Sequence, residues 1–415
     1  MSRVVVTATG LICALGEELA AVHAALEGGA SGIGPLDAET GAGLRDPFAA
    51  EARAYDPSRT LGDRNLRPLD RTSRLTASAA GLALSAGGLG PAELANGEVG
   101  LVLGTQFGSL RTIAEFDRRA LQMGANYASP LDFANSVINA AAGQAAIWHG
   151  LRGVNATVAG GPVAGLLALG DAADRLRDGA GHGLTALLAG GAEELCREAL
   201  LGFERLGATA GHDGAAPLAV PLHARRNGFR LGEGAALALL ETAERAAARG
   251  ARPLGEILGH GEAFDPTRGG DPASAAAALA RAVRSALAEA ELEAAQVDLL
   301  ALGASGSPAR DRAEVAGLAL ALGRDRLAAL PVLAAAGQLG ECLGAGGALS
   351  ALLALESLRS GRLPGIAGLD EPDPALPPTD LAAASRPLRG RVALVTALAL
   401  DGPAAALLVA LPEVG

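Results

Sequence analysis

Residues 154–170, VNATVAGGPVAGLLALG, decide the fold. A β-branched stretch runs into a Gly-Gly-Pro turn and then into a run of small and aliphatic residues. That is the pattern of a strand, a tight turn and a helix. Elbows of this kind lift a nucleophile above a sheet in several enzyme classes. Here Pro162 stands where the reactive side chain is sought. Proline has no nucleophile and no N–H, and it is tolerated in the first turn of a helix.

The segments around the elbow keep the same alternation. GEVGLVLGTQ (97–106) reads as a buried strand, GQAAIWHGLRG (143–153) as a helix with a glycine stop, and AGLLALGDAADRLRDG (164–179) as an apolar helix. GLTALLAGGAEEL (183–195) is the next strand, leaving into acidic residues. At the start, RVVVTATG (3–10) is a strand and EELAAVHAALEGG (17–29) a helix. The second half repeats the style. GAALALLETAERAAARGA (234–251) runs from strand to helix, and AAAALARAVRSALAEAEL (275–292) is a long amphipathic helix. VDLLALGASGSP (297–308) is a strand with a loop at its carboxyl end, and 391–413 form a terminal hairpin around Asp401-Gly402-Pro403. LDEPDPALPPTD (369–380) reads as a surface loop. Alternating strands and helices predict an α/β protein whose sheets are covered on both faces. The seam near residues 245–260 divides it into two similar halves, 1–250 and 251–415, within one compact unit.

Composition narrows the function. The chain has 415 residues, of which 50% are hydrophobic and 2% aromatic, so its core is packed from small and aliphatic side chains. It contains no lysine, which removes amine chemistry. A net charge of −11 argues against nucleic acid or an anionic membrane as partner. The arginine pairs Arg118-Arg119 and Arg225-Arg226 are candidate docking patches for an acidic protein, with solvated surface as the plainer expectation. Cys13, Cys196 and Cys342 lie far apart, without CxxC spacing. They predict neither a disulfide framework nor a zinc site, and they fit a cytoplasmic, reducing location. His149, His182, His212, His223 and His260 show no metal spacing. The first residues read as a strand rather than a leader, because Gly10, Glu17 and Glu18 interrupt the apolar run. No apolar run is long enough for a membrane span.

Six blocks in order now carry a resemblance. They are RVVVTATGLICALG (3–16), 129–155, 174–194, PLHARRNGFRLGEGAALALLE (221–241), ASGSPARDRAE (304–314) and 336–364. The GF-x-x-GEGA stretch in the fourth is the most specific. Together they resemble the β-ketoacyl synthases of the thiolase fold, over nearly the whole chain. The resemblance implies two similar βαβαβαββ halves and layers of helices around two central mixed sheets (αβαβα). It implies no cofactor and no metal. Active members use a cysteine on the elbow, two histidines, a lysine and a glycine-rich loop near the C-terminus. Those positions fall here on Pro162, Gly303, Glu341, Ala336 and the LALDG segment with Leu400, Asp401 and Gly402.

Each replacement has a chemical meaning. The N–H of the nucleophile also helps form the oxyanion hole, and losing one such donor costs on the order of 100- to 1000-fold. Gly303 donates nothing from a side chain, and an ionised Glu341 accepts but does not donate. The pattern predicts a dismantled site and a chain that is no enzyme on its own. The resemblance then implies a chain length factor: a non-condensing subunit that pairs with an active ketosynthase. Such a subunit shapes the tunnel for a growing polyketide or polyene chain, and meets acyl carrier protein through the complex. Two alternatives stay open: altered chemistry, as a malonyl decarboxylase or acyl transferase, and a self-pairing lipid-binding protein.

For the tunnel, the resemblance points to bulky residues after GTQFGS (104–109), namely Phe107, Ile113, Phe116 and Met123, and to Phe229 and Leu400 near the site. Ordinary core packing is the plainer expectation for each. The strand before the elbow is implied to join the two subunits, across an interface exceeding about 2000 Å². Asp311 and Glu314 sit where active members keep acidic residues, and are expected to pair with arginine or to face solvent.

Overall fold

The structure, a computed structural model, describes residues 2–94, 99–179 and 184–412. Among the described residues, ten strands form one mixed sheet. They are β1 (Val4–Ile12), β2 (Val99–Thr105), β3 (Asn155–Ala159), β4 (Ala186–Glu193) and β5 (Gly234–Thr242). Then follow β6 (Gly255–Phe264), β7 (Leu299–Ala301), β8 (Val332–Leu333), β9 (Val392–Leu398) and β10 (Pro403–Ala410). Their order is β8-β7-β9-β10-β6-β1-β5-β4-β2-β3. Each half therefore repeats one arrangement: its first strand lies innermost, its third outermost. The elbow strand β3 is the edge of the first half, paired in parallel with β2.

The two expected sheets are joined into one. Strands β1 and β6 pair antiparallel over Val4↔Ile257, Val5↔Glu256 and Val6↔Gly255. The joined sheet wraps around two helices, α5 (Ala164–Gly179) and α9 (Gly346–Ser360), which touch strands of both halves. Preceding α5 are α1 (Leu19–Glu27), α2 (Arg71–Ala86), α3 (Leu110–Met123) and α4 (Ala140–His149). Between α5 and α9 come α6 (Arg197–Arg205), α7 (Pro272–Glu289) and α8 (Pro308–Leu322). Helices α2 and α4 cover the outer face of the first half, and α7 and α8 that of the second. Among the described residues four buried clusters result: one around α5 and α9, one under each outer pair, and a smaller one around Phe203 and Phe229.

The scarcity of aromatics is explained by how closely helices approach strands. A Cβ placed on Gly10 of β1 would come within 2.0 Å of the Ala79 carbonyl oxygen of α2. On Gly261 of β6 it would come within 2.1 Å of the Ala282 carbonyl of α7. The same contact, glycine on the inner strand against an alanine-rich helix, thus serves both halves. Helix α2 starts where Asp70 accepts the Ser73 N–H at 2.8 Å, and α4 stops at left-handed Gly150. No helix among the described residues is long and apolar enough to cross a membrane.

Candidate functional site

The elbow is built as its sequence predicts. Strand β3 ends at Ala159, Gly161 turns the chain at φ 64, and α5 begins at Ala164. Pro162 lies in the short 3₁₀ turn Gly161–Val163. Its missing N–H falls where a helix leaves its first donors unpaired anyway. The turn is pressed against β2, since a Cβ on Gly104 would lie 2.3 Å from the Ala164 carbonyl.

Pro162, Gly303, Ala336 and Glu341 all line one small cavity of about 30 Å³. Three distant segments of the chain are thus brought together, beside the elbow and the end of β7. The volume accommodates about one water. Gly303 donates its N–H to Glu314 Oε1 at 2.9 Å, and Thr396 Oγ1 donates to the same oxygen at 2.7 Å. Glu314 is fully buried, and burial pushes its carboxyl up to about 7.

The cation for Glu341 is Arg310. Its guanidinium contacts the Glu341 carboxylate and the Ser305 hydroxyl, and reaches the Gly303 carbonyl at 3.3 Å. It also lies over the Phe229 ring at 5.6 Å. Both partners are buried, with side chains 3% and 6% exposed. Burial, the largest single influence, would lower the arginine's pKa, but the charge and hydrogen bond of Glu341 together with the charges of Asp311 and Glu314 hold it above the ordinary value. Arg310 is the main residue missed in the sequence. A signal existed: an acid at a buried position of a lysine-free chain needs an arginine nearby.

A larger cavity of about 400 Å³ adjoins the elbow. Phe107, Phe203, Phe229, Leu343 and Leu400 form apolar wall, and Pro162, Gln106 and Arg310 also border it. Phe203 meets Phe229 edge-on at 5.4 Å and Phe107 at 6.1 Å. The loop carrying Gln106 and Phe107 is held by Glu193, which accepts their N–H groups at 2.6 and 3.0 Å. Burial pushes the Glu193 carboxyl up to about 7 against those bonds.

Of the six residues expected to line a tunnel, Phe107, Phe229 and Leu400 border this cavity. Ile113, Phe116 and Met123 do not. They lie on α3, none of whose residues is buried. Phe116 packs on Phe133 at 5.8 Å, and Met123 is 58% exposed.

Among the arginine pairs, Arg226 departs from expectation. It is buried, not solvated, and pairs with Asp311 and Asp373 at 2.9 Å each. Asp311, also buried, accepts the N–H groups of Ser305 and Gly306, tying down the loop after β7. Arg118 and Arg119 are exposed and pair with Glu198 and Asp132. The three cysteines are free and buried, and burial pushes Cys13 up to about 11 and Cys196 up to about 12. Thiols so shifted carry almost no thiolate at neutral pH. His260 meets Asp174 and Glu289 at the surface, with donor atoms within 4.8 Å of one another, a grouping invisible in sequence. Arg177 bonds both carboxylates there. His182 lies outside the described residues.

Comparison with known proteins places this geometry. The family described as "Beta-ketoacyl synthase, N-terminal domain" matches residues 1–246, and "Beta-ketoacyl synthase, C-terminal domain" matches 254–370. The 3-oxoacyl-[acyl-carrier-protein] synthase 2 of Vibrio cholerae is 29% identical over 90% of this chain and 90% of its own. Nodulation protein E of Rhizobium leguminosarum bv. trifolii is 32% identical, again over 90% of each. A solved structure, "The ishigamide ketosynthase/chain length factor", is 28% identical, with a TM-score of 0.89 over 99% of this chain and 100% of that one. The expectation that the chain is no enzyme on its own is thereby corrected: along nine-tenths of its length it matches relatives named as synthases. The fold is the thiolase-like ketosynthase fold. With both family domains matched in order around the elbow, the chain belongs to the β-ketoacyl synthase family.

Proposed function

We propose that this chain is the tunnel-lining subunit of a two-chain ketosynthase, a chain length factor-like role. The partner supplies the condensing cysteine, and acyl carrier protein delivers extender units to the assembled pair. The observation that carries this reading is the apolar cavity of about 400 Å³ opening beside an elbow that ends in Pro162. It has the walls to hold an acyl chain and no nucleophile at the elbow to load one. In this reading Gly303, Ala336 and Glu341 pack around the small cavity at the elbow, with Arg310 held against Glu341.

The surface supports pairing. Strand β3 is an open sheet edge. The segment before it exposes large apolar side chains, among them Leu121 (86%), Phe133 (61%) and Ile147 (78%). An open edge beside an apolar surface is the form of a face covered by another chain. The 28% identical neighbour is named as a ketosynthase and chain length factor. The growing chain is a polyketide or polyene.

The test is reconstitution with an intact ketosynthase encoded nearby, fed with malonyl-loaded carrier protein. Narrowing the cavity by Ala199→Phe is expected to shift product length, while Pro162→Ala leaves the rate within about two-fold. Unchanged product length in both variants would count against the tunnel role. The synthase names of the relatives favour a second reading, in which the chain itself transfers or decarboxylates acyl groups. Turnover of malonyl or acyl thioesters by the purified chain alone is its signature.

A further inference from the structure

We propose that Asp70, Ser73, Ser109 and Glu194 together bind a monovalent metal cation, sodium or potassium, which fastens the loop bearing Gln106 and Phe107 to helix α2. The proposal goes beyond the tunnel role and does not depend on it.

Four oxygens carry it. Asp70 Oδ2, Ser73 Oγ, Ser109 Oγ and Glu194 Oε2 are buried and have no hydrogen-bond partner. Ser73, Ser109 and Glu194 are 0%, 1% and 4% exposed. Bonds made by the same residues and their neighbours bring them to one place. Asp70 Oδ1 accepts the Ser73 N–H at 2.8 Å, capping α2. Thr72 Oγ1 donates to the Gly108 carbonyl at 2.9 Å, which sets the start of α2 against the start of α3. Glu194 Oε1 accepts the Arg111 N–H at 2.8 Å. Arg111 is the second residue of α3, so Glu194, arriving from β4, takes the capping role that Ser109 would ordinarily fill. The Ser109 hydroxyl is thereby released. The charge of Asp70 is felt at Glu194.

Buried polar oxygens left unpaired are costly, and a cation answers all four at once. Carboxylates and hydroxyls are hard ligands, which suit alkali and alkaline-earth cations rather than zinc or copper. Each carboxylate already accepts an N–H at a helix start, where the helix dipole meets part of its charge. One further positive charge therefore suits the site better than two. The neighbouring guanidiniums do not supply it by direct contact: Arg111 Nη2 is spent on the Leu195 carbonyl and Arg74 Nη2 on that of Leu66. Burial first, and then the Asp70 charge, push the Glu194 carboxyl up to about 8. A cation between the two carboxylates offsets both influences and keeps both ionised. The preceding residue, Glu193, accepts the N–H groups of Gln106 and Phe107. A cation on Ser109 and Glu194 would thus grip the same loop a second time, and Phe107 is a wall of the larger cavity.

The test is thermal unfolding of the full-length chain in sodium, potassium and choline chlorides at one fixed ionic strength. The midpoint is expected to stand about 3 °C or more higher in sodium or potassium than in choline. Glu194→Gln keeps an oxygen for the Arg111 N–H and offers Asp70 an amide N–H in place of the cation. This variant is expected to fold, with one midpoint in all three salts. Ser109→Ala, a milder change, is expected to shrink the difference. Crystals of the parent protein soaked in thallium(I) acetate are expected to show an anomalous peak among the four oxygens. Ordered water alone at that place overturns the proposal. Equal midpoints of the parent protein in the three chlorides overturn it too, as does a cation effect that survives Glu194→Gln. A response to calcium without one to sodium or potassium overturns the monovalent assignment.

Discussion

Glu314 is held through one oxygen by the Gly303 N–H and the Thr396 hydroxyl, while Oε2 is buried without a partner. Its carboxyl is pushed up to about 7 from 4.5 by burial. Between those pH values the native state keeps a proton that the unfolded chain has released. This contribution to stability is therefore fully present below about 4.5, falls as pH rises, and levels off above about 7. Glu314→Gln keeps an oxygen for both donors and mimics the protonated acid. Urea unfolding across this range is expected to show a flatter pH dependence for the variant, and a more stable variant above pH 7. An unchanged slope would contradict the assignment. Arg310 gives a second case. Removing it alone, as Arg310→Met, leaves Glu341 buried and unpaired, and is expected to cost about 3–5 kcal/mol in denaturant unfolding. The double variant with Glu341→Gln is expected to cost clearly less. At this scale the sequence was legible unevenly. Pro162, Gly303, Ala336 and Glu341 could be located from their blocks, and the structure sets them around one cavity. Arg310 and Arg226 could not be recognised as buried. Arginine is ordinarily exposed, and their partners Glu341, Asp311 and Asp373 lie 31 to 147 residues away in the chain.

Strand β2 and the start of α5 touch through backbone at Gly104, where any side chain meets the Ala164 carbonyl. Gly104→Ala is expected to destabilise the protein by about 1–3 kcal/mol as an overpacked contact, and to loosen the elbow. Gly143, on α4, has nothing within 4 Å of its added Cβ. Gly143→Ala is expected to gain up to about 1 kcal/mol, as glycine to alanine does in an open helix interior. Thermal and urea unfolding of the two variants should move in opposite directions. Strands and helices were readable here because apolar runs are bounded by glycine and proline. The joining of the two sheets was not, since β1 and β6 share only three residue pairs. Of the residues expected to line a tunnel, three border the larger cavity. Phe107 faces inward from the loop before α3, but Ile113, Phe116 and Met123 sit on a helix with no buried face. Helical spacing alone does not tell which neighbour, if any, covers a face.

At the scale of the whole molecule, a well-filled interior contrasts with one uncovered flank. The ten-stranded sheet encloses α5 and α9, while the flank with β3, α3 and the residues up to Ile147 shows apolar side chains to solvent. A chain with such a flank is expected to associate. The choice between a cysteine-bearing partner and a second copy of itself separates the tunnel-lining role from independent acyl chemistry. The decisive measurement is native mass spectrometry of the complex recovered through a tag on this chain alone, after co-expression with a nearby intact ketosynthase. A one-to-one heterodimer is expected as the dominant species. A homodimer of this chain, with the ketosynthase absent and acyl thioesters turned over by that homodimer, would contradict the tunnel-lining role.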